Sequence, residues 1–266
     1  MTRLRDLLAQ QDISRLDNRV LLSQITGFSF AQLISRDDYE LTSDQLQQYQ
    51  AWCLRVLAGE PLAYILGKKE FYSREFQVTP DTLIPRPETE LLVDKVLELA
   101  QQNARVVDLG TGSGCIAIST KLERLDLCVL AVDKFPAALA VARKNAVNLS
   151  ANVEFVESDW FSNLSGKFDL IVSNPPYIEA CDPHLQNLQF EPQTALSDFN
   201  DGLSCIRMIA AGVDQFLNFN GWLIVEHGYN QALAAQEIFR NVGLSQVITL
   251  QDYAGLDRIT LGQKLN

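Results

Sequence analysis

A chain of 266 residues with 47% hydrophobic and 21% charged side chains has the length and balance of one large or two modest folded domains, not of a disordered polymer. Its formal charge of −11 removes the global positive field that draws proteins to nucleic acid without sequence preference. Five cysteines without a C-x-x-C pair, and two histidines (His184, His227) isolated from them, point away from a metal site or a disulfide framework and towards a reducing compartment.

The opening residues meet polar Gln10-Gln11-Asp12 too soon for a signal-peptide core, and no apolar run reaches spanning length, so the expected location is the cytoplasm with no membrane partner. Leu4, Leu7 and Leu8, then Leu16, Val20, Leu21, Leu22 and Ile25, recur at helical spacing, with Gly27 as a stop. A further helix runs from Ser43 or Asp44 through Tyr49, Trp52 and Leu57 and ends near Gly59. From Pro61 to Pro87 the texture changes. Phe71, Phe76, Val78 and Leu83-Ile84, broken by Gly67 and Pro80, read as short strands or a hairpin. Pro87-Glu88-Thr89-Glu90 then opens a helix carrying Leu91, Leu92, Val96, Leu97 and Leu99.

Beyond it strands and helices alternate: strand 105–109, helix 116–122, strand 127–132, helix 137–148, then strands at 153–156, 168–172 and 222–225. Such alternation predicts a mostly parallel sheet covered on both faces. Val247 to Leu250 and Arg258 to Leu261 read as two last strands joined by a turn, compatible with an antiparallel edge.

Asp108-Leu109-Gly110-Thr111-Gly112-Ser113-Gly114 follows the first strand of that series and opens a helix. Its G-x-G-x-G spacing differs from the dehydrogenase fingerprint, and no lysine stands where a P-loop needs one. Asp133 ends the next strand, 19 positions past Gly114, where a carboxylate can accept from both hydroxyls of a ribose. Glycine turn and acidic strand end together suit an adenosine-containing cofactor. After the third strand, Asp159 could face an adenine amine and Trp160 cover its ring; a loop with one packed tryptophan is the alternative.

Asn174-Pro175-Pro176-Tyr177 directly follows the apolar run Phe168 to Ser173. Two prolines cannot donate to a ladder, so a buried strand stops at Asn174 and presents an amide, two stiff rings and an aromatic face at its carboxyl end. That is the end at which ligands bind in an open α/β sheet. An amide clamped beside a flat ring suits a planar group bearing an NH2, either a nucleobase amine or a carboxamide.

The combination of D-x-G-x-G-x-G, an acid after the second strand and Asn-Pro-Pro-Tyr after the fourth resembles the class I methyltransferases that use S-adenosylmethionine. Gly59 to Gly67, Glu70-Phe71, Leu83-Ile84-Pro85-Arg86-Pro87-Glu88-Thr89-Glu90, Asp182-Pro183-His184, Phe190-Glu191-Pro192, Asp201-Gly202-Leu203, Glu226-His227-Gly228 and Asp257-Arg258 extend the similarity, from about residue 59 onward, to the protein-glutamine N5 methyltransferases of peptide release factors. The amino-terminal helices match in character only: Leu16-Asp17-Asn18-Arg19 stands where the family usually carries an Asp-Ala-Glu run.

This resemblance implies a Rossmann-like, mostly parallel seven-stranded sheet with helices on both faces and a small amino-terminal helical domain. The expected division is residues 1–60 for a helical substrate-recognition domain, 61–84 for a hairpin connector and 85–266 for the catalytic domain. The implied reaction is methylation of the glutamine side-chain amide in the Gly-Gly-Gln loop of class I release factors; a monomer that binds no nucleic acid directly is expected. Asn174, Pro175 and Tyr177 would carry it, with Pro176 completing the substrate wall; Gly110, Thr111, Gly112, Ser113, Gly114, Asp133, Asp159, Trp160 and Asn174 would hold the cofactor, without a metal. Arg86, Glu88 and Glu90 admit helix initiation, with Arg86 paired to one of the acids, or a lid. Glu226 and His227 admit a structural or a catalytic part. The rivals are an adenine N6 methyltransferase acting on an extruded base of DNA or RNA and a cofactor-binding module without catalysis.

Overall fold

The computed structural model describes residues 2–10 and 12–265 and divides into two compact units, Met1–Gly67 and Lys68–Asn266. No described helix is long and apolar enough to cross a membrane.

The first unit is helical: α1 (Leu4–Leu8), α2 (Arg15–Thr26), α3 (Phe30–Ser35), α4 (Ser43–Leu57) and α5 (Leu62–Leu66). Side-chain caps set its boundaries. Ser14 accepts from the Asp17 amide, while Ser29 with Gln32 and Thr42 with Gln45 form reciprocal capping boxes. Gly27 ends α2 in the left-handed conformation, as its position in the sequence predicts. Leu4, Leu7, Leu22, Leu33, Leu41 and Tyr49 form the core. Buried Asn18 donates to the Leu7 carbonyl at 2.9 Å and accepts from the Tyr49 hydroxyl at 2.9 Å, so this polar side chain is satisfied inside the unit.

The second unit opens with an antiparallel hairpin, β1 (Lys68–Phe71) and β2 (Arg74–Gln77). The strand pattern foreseen between Pro61 and Pro87 holds only here. Residues 62–66 are helical, and Leu83-Ile84 lies in an extended loop whose Ile84 amide bonds to a side chain instead of a ladder. Phe71 and Phe76 of the hairpin are buried against the sheet's helical cover.

A single 3-10 turn, Pro87–Thr89, leads into α6 (Glu90–Leu99). Then come β3 (Arg105–Leu109), α7 (Cys115–Glu123), β4 (Cys128–Asp133), α8 (Pro136–Asn148), β5 (Glu154–Glu157) and β6 (Phe168–Ser173). After β6 follow α9 (Gln193–Leu196), α10 (Ser204–Ala211), α11 (Val213–Phe216), β7 (Leu217–Glu226), α12 (Ala232–Asn241), β8 (Ser245–Gln251) and β9 (Asp257–Gln263). The seven strands β3 to β9 form one sheet in the order 5-4-3-6-7-9-8, parallel except that β9 runs antiparallel to both neighbours. This is a Rossmann-like architecture, covered on both faces. Val106, Val129, Val172 and Ile224 meet α6, α7 and α8 on one face; Val107, Val132, Ile171 and Leu223 meet α10, α11 and α12 on the other. Successive residues of a strand point to opposite faces, so each central strand is apolar throughout.

The order reverses at β3, which pairs with β4 on one side and β6 on the other. A crevice therefore opens at the carboxyl ends of β3 and β6. One side chain braces its floor. Asn145 of α8, buried, accepts from the Gln77 amide at 2.7 Å and donates to the Gln77 and Ser113 carbonyls at 2.9 Å each, stitching hairpin, helix and glycine loop together. Asn145→Ala leaves those backbone groups unpaired and should cost about 2 to 4 kcal/mol. Urea unfolding with an unchanged slope is the measurement, and an unshifted midpoint would refute the brace.

Candidate functional site

The glycine loop is shaped by two acids. The Thr111 hydroxyl donates to Asp108 Oδ2 at 2.6 Å, and the Gly112 amide donates to Asp133 Oδ2 at 2.9 Å. Asp133 Oδ1 accepts from the Phe135 amide at 3.0 Å, so each of its oxygens keeps a lone pair for a further donor. Burial raises the Asp133 pKa, while the Phe135 and Gly112 amides pull it back down. Fully enclosed Asp108 is pushed up to about 7, chiefly by desolvation.

Gly110, Thr111, Gly112, Ser113 and Asp133 line a cavity of about 550 Å3, the size of a small-molecule site. A methyl group on Gly110 would lie 3.7 Å from the Trp160 ring, so the bare backbone leaves room beside that ring. Gly114 does not line the cavity. It adopts φ +82°, and a Cβ there would stand 2.8 Å from Ile118 Cδ1 and 3.1 Å from Ala142 Cβ; its bareness lets α7 start close against α8.

Ser158, Asp159 and Trp160 line the same cavity. The Ser158 hydroxyl donates to the Trp160 carbonyl at 2.8 Å and fixes the turn. Asp159 lies at the exposed rim, where its Oδ2 is 2.8 Å from the Lys134 ammonium. Phe135, which the sequence reading passed over, adds a second aromatic to the lining.

Asn174 stands at the carboxyl end of β6. Its Nδ2 donates to the buried Thr89 hydroxyl at 3.1 Å, which leaves its carbonyl oxygen outside that bond. Asn174 borders both the larger cavity and a smaller one of about 100 Å3 lined by Leu83, Arg86, Tyr177, Ile178, Leu188, Ala195 and Leu196. Pro176 lines the larger cavity and Tyr177 the smaller; buried Pro175 lines neither. The tetrapeptide thus forms a partition between two spaces.

Several partition supports are distant in sequence. Arg86 pairs with Glu191, and Glu191 Oε2 also accepts from the Ile84 amide at 3.0 Å. Pairing of Arg86 with Glu88 or Glu90 is therefore not found; Glu90 instead accepts from the Tyr72 amide at 2.7 Å. Gln231 donates to the Tyr177 carbonyl at 2.9 Å and to the Gly202 carbonyl at 3.2 Å. Gly202 has φ +75°, and a Cβ would meet the Tyr177 carbonyl at 2.5 Å, so only glycine lets the two loops approach. Asp198 collects the Asn200, Gly202 and Ser204 amides and the Ser204 hydroxyl at 2.6 to 2.9 Å, closing the same loop.

Glu226 ends β7 beside this partition. It is 1% exposed, Tyr177 donates to its Oε1 at 3.5 Å, and Oε2 has no hydrogen-bond partner. Desolvation pushes its carboxyl up to about 7, with the Thr89 hydroxyl pulling it back down. His227 has both ring nitrogens engaged, Nδ1 with the Gly228 carbonyl and Nε2 with the Thr260 hydroxyl at 2.8 Å each, and burial lowers its pKa. A neutral, fully bonded imidazole is a strut. Among the described residues no three His, Cys, Asp or Glu side chains gather to hold a metal.

Two family models match: the PrmC N-terminal domain over residues 1–67 and the methyltransferase small domain over residues 87–189. The release factor glutamine methyltransferase of Neisseria gonorrhoeae is 47% identical over 96% of this chain and 96% of its own. That of Bordetella pertussis is 45% identical over 98% and 99%. In solved structures the fold recurs in a methyltransferase from Pyrococcus furiosus, with a TM-score of 0.57 at 16% identity, covering 85% of this chain and 100% of that one. Near-full-length identity at this level is a statement about the whole chain, helical unit included: it belongs to the release factor glutamine methyltransferase family.

Proposed function

We propose that this chain transfers a methyl group from S-adenosylmethionine to the side-chain amide nitrogen, N5, of the glutamine in the Gly-Gly-Gln motif of class I peptide chain release factors. The observation that carries the reading is the Asn174 amide. Its nitrogen is committed to Thr89, so its oxygen is left as an acceptor at the boundary between a cofactor-sized space and a slot about one side chain wide.

The lining of the larger cavity supports the cofactor reading. Asp133 offers two lone pairs for a ribose diol; Phe135 and Trp160 offer faces for a purine; Asp159 stands at the rim for an exocyclic amine. Gly110, Thr111, Gly112 and Ser113 would wall the rest, with Gly114 supporting them from behind. When bound, S-adenosylmethionine supplies an electrophilic methyl group on a sulfonium.

The protein's own task is orientation. An amide nitrogen is a poor nucleophile because its lone pair is delocalised into the carbonyl. Bonds from its two N–H groups to Asn174 Oδ1 and the Pro175 carbonyl would hold the nitrogen at the partition and favour pyramidalisation. Positioning of this kind can account for several kcal/mol of a barrier. Tyr177 and Pro176 would exclude water, and the released proton passes to solvent. Asp108, Glu226 and His227 are buried away from both cavities, so no general base is assigned. The acidic chain and the narrow slot favour a protein side chain over an extruded nucleotide.

Labelled S-adenosylmethionine should place label on a purified release factor and none on a factor whose Gly-Gly-Gln glutamine is replaced. Label on unmethylated DNA alone would sink the reading. Asn174→Ala should keep cofactor affinity within about twofold and lower turnover about 100-fold or more, the scale of losing one transition-state hydrogen bond. Asp133→Ala should instead weaken cofactor binding about 10- to 100-fold by calorimetry. Wild-type affinity in that variant would remove Asp133 from the ribose.

A further inference from the structure

Among the described non-glycine residues at positive φ, three are aromatic: Tyr72 at +50°, Trp160 at +50° and Phe199 at +58°. A bulky side chain in this region is an outlier, because its Cβ crowds the backbone carbonyl. Tyr72 is accounted for. With Ser73 it makes the two-residue turn between β1 and β2, a turn type that needs positive φ at both positions. Trp160 and Phe199 lie in no hairpin turn, and both line the larger cavity.

The two are built alike. Each closes a Ser-Asp-aromatic tripeptide, Ser158-Asp159-Trp160 after β5 and Ser197-Asp198-Phe199 before α10. All six residues line the larger cavity. In each tripeptide a buried serine fixes the backbone of its aromatic: Ser158 donates to the Trp160 carbonyl at 2.8 Å, and Ser197 Oγ accepts from the Phe199 amide at 3.0 Å. The next residue is held as well, because the Asn200 amide donates to Asp198 Oδ1 at 2.9 Å and its carbonyl accepts from the Ala180 amide at 3.1 Å. Bonds on both sides thus keep Phe199 in its left-handed conformation.

The two rings differ in their cover. Trp160 packs against the core beneath the sheet, whereas Phe199 is 59% exposed and joins no core cluster. Among the described residues the Phe199 ring pairs with no other ring. The free protein therefore carries backbone strain at this position and leaves the ring in water, with no packing that offsets either. Strain of this kind persists where surrounding bonds over-determine it, and it concentrates at ligand clamps. What would cover the ring is whatever fills the cavity it lines, and that is the larger cavity, not the slot. A flat apolar ring suits a flat partner, and the cofactor's purine is one.

Resting on the cofactor reading above, we propose that Phe199 is a cofactor-binding residue whose ring covers the adenosyl group of S-adenosylmethionine. Trp160 and Phe135 offer their rings from the segments after β5 and β4; Phe199 adds one from the segment before α10. The left-handed backbone sets the ring in place in advance, so little ordering remains to oppose binding.

Wild-type affinity for S-adenosylmethionine, by calorimetry, tests the cofactor reading by itself; the variants test only the ring. Phe199→Ala and Phe199→Gly should each weaken S-adenosylmethionine and S-adenosylhomocysteine equally, by about 5- to 50-fold, the scale of losing one ring stacked on a base. Phe199→Tyr keeps a flat ring and should bind within about twofold of wild type. Melting without ligand separates binding from packing. Glycine adopts this φ without penalty, so Phe199→Gly should melt at or above the wild-type temperature even as it binds less well. Wild-type affinity in the alanine and glycine variants would overturn the proposal, whether or not the KM for a release factor rises. So would a loss confined to S-adenosylmethionine, which places the ring at the sulfonium, or a lower melting temperature for Phe199→Gly, which makes the ring a packing element.

Discussion

The site depends on the register of three adjacent parallel strands. β6 pairs with β3 so that Ser173 stands opposite Leu109, and with β7 so that Ser173 stands opposite Val225. The Ser173 hydroxyl donates to the Leu109 carbonyl at 2.7 Å and locks the first pairing at its last residue. One position further on, Gly110 and Asn174 leave the sheet side by side next to Glu226, the last residue of β7, which still pairs with Ile259 of β9. A one-residue slip would turn Val107, Ile171 and Leu223 to the wrong face and separate the three, so the apolar core enforces the site's alignment. The two prolines after Asn174 then ensure that the ladder cannot continue past the alignment.

Around that line the molecule spends polar groups on holding loops. Glu191 ties residues 84 and 86 to the segment before α9; Asp198 and Gln231 tie the loop before α10 to the Tyr177 carbonyl. Each of these side chains is buried. The walls of both cavities are therefore loops pinned at their bases, with the exposed aromatic Phe199 and Met208 left at the rim. Asp133 takes the Gly112 and Phe135 amides and also lines the larger cavity, so one carboxylate shapes the glycine loop and faces that space.

How much of this could be read beforehand follows from the range of the interactions. The strand at 105–109, the helix expected at 137–148 (it starts one residue earlier, at Pro136) and the glycine turn between β3 and α7 depend on periodicity and on residues within a few positions, and the sequence displays them. Helix α5 is only five residues and ends at a glycine, too short for periodicity to separate it from a strand. Leu83-Ile84 has strand composition but no partner strand, because Glu191 takes the Ile84 amide. The Arg86–Glu191 pair spans 105 positions, so nearby acids were the only partners the sequence offered. Thr89 looked like part of a helix start and is; that its hydroxyl also meets Asn174, 85 positions away, has no local signature. Gly114 carries the motif's spacing yet serves helix packing, a distinction that needs Ala142 in view.

The insertion of β9 between β7 and β8 has a consequence for how the enzyme assembles. Among the described residues β8 pairs only with β9, and the turn between them is tied by Asp252 to the 254 and 256 amides, so the two make a local hairpin. That hairpin must then dock as a body onto β7, where the Arg258 carbonyl receives the His227 amide at 2.9 Å. Without that pairing the end of β7 would have an open edge and its carboxylate would face water. The burial of Glu226 therefore depends on a strand from the far carboxyl end of the chain, 33 positions on at Ile259.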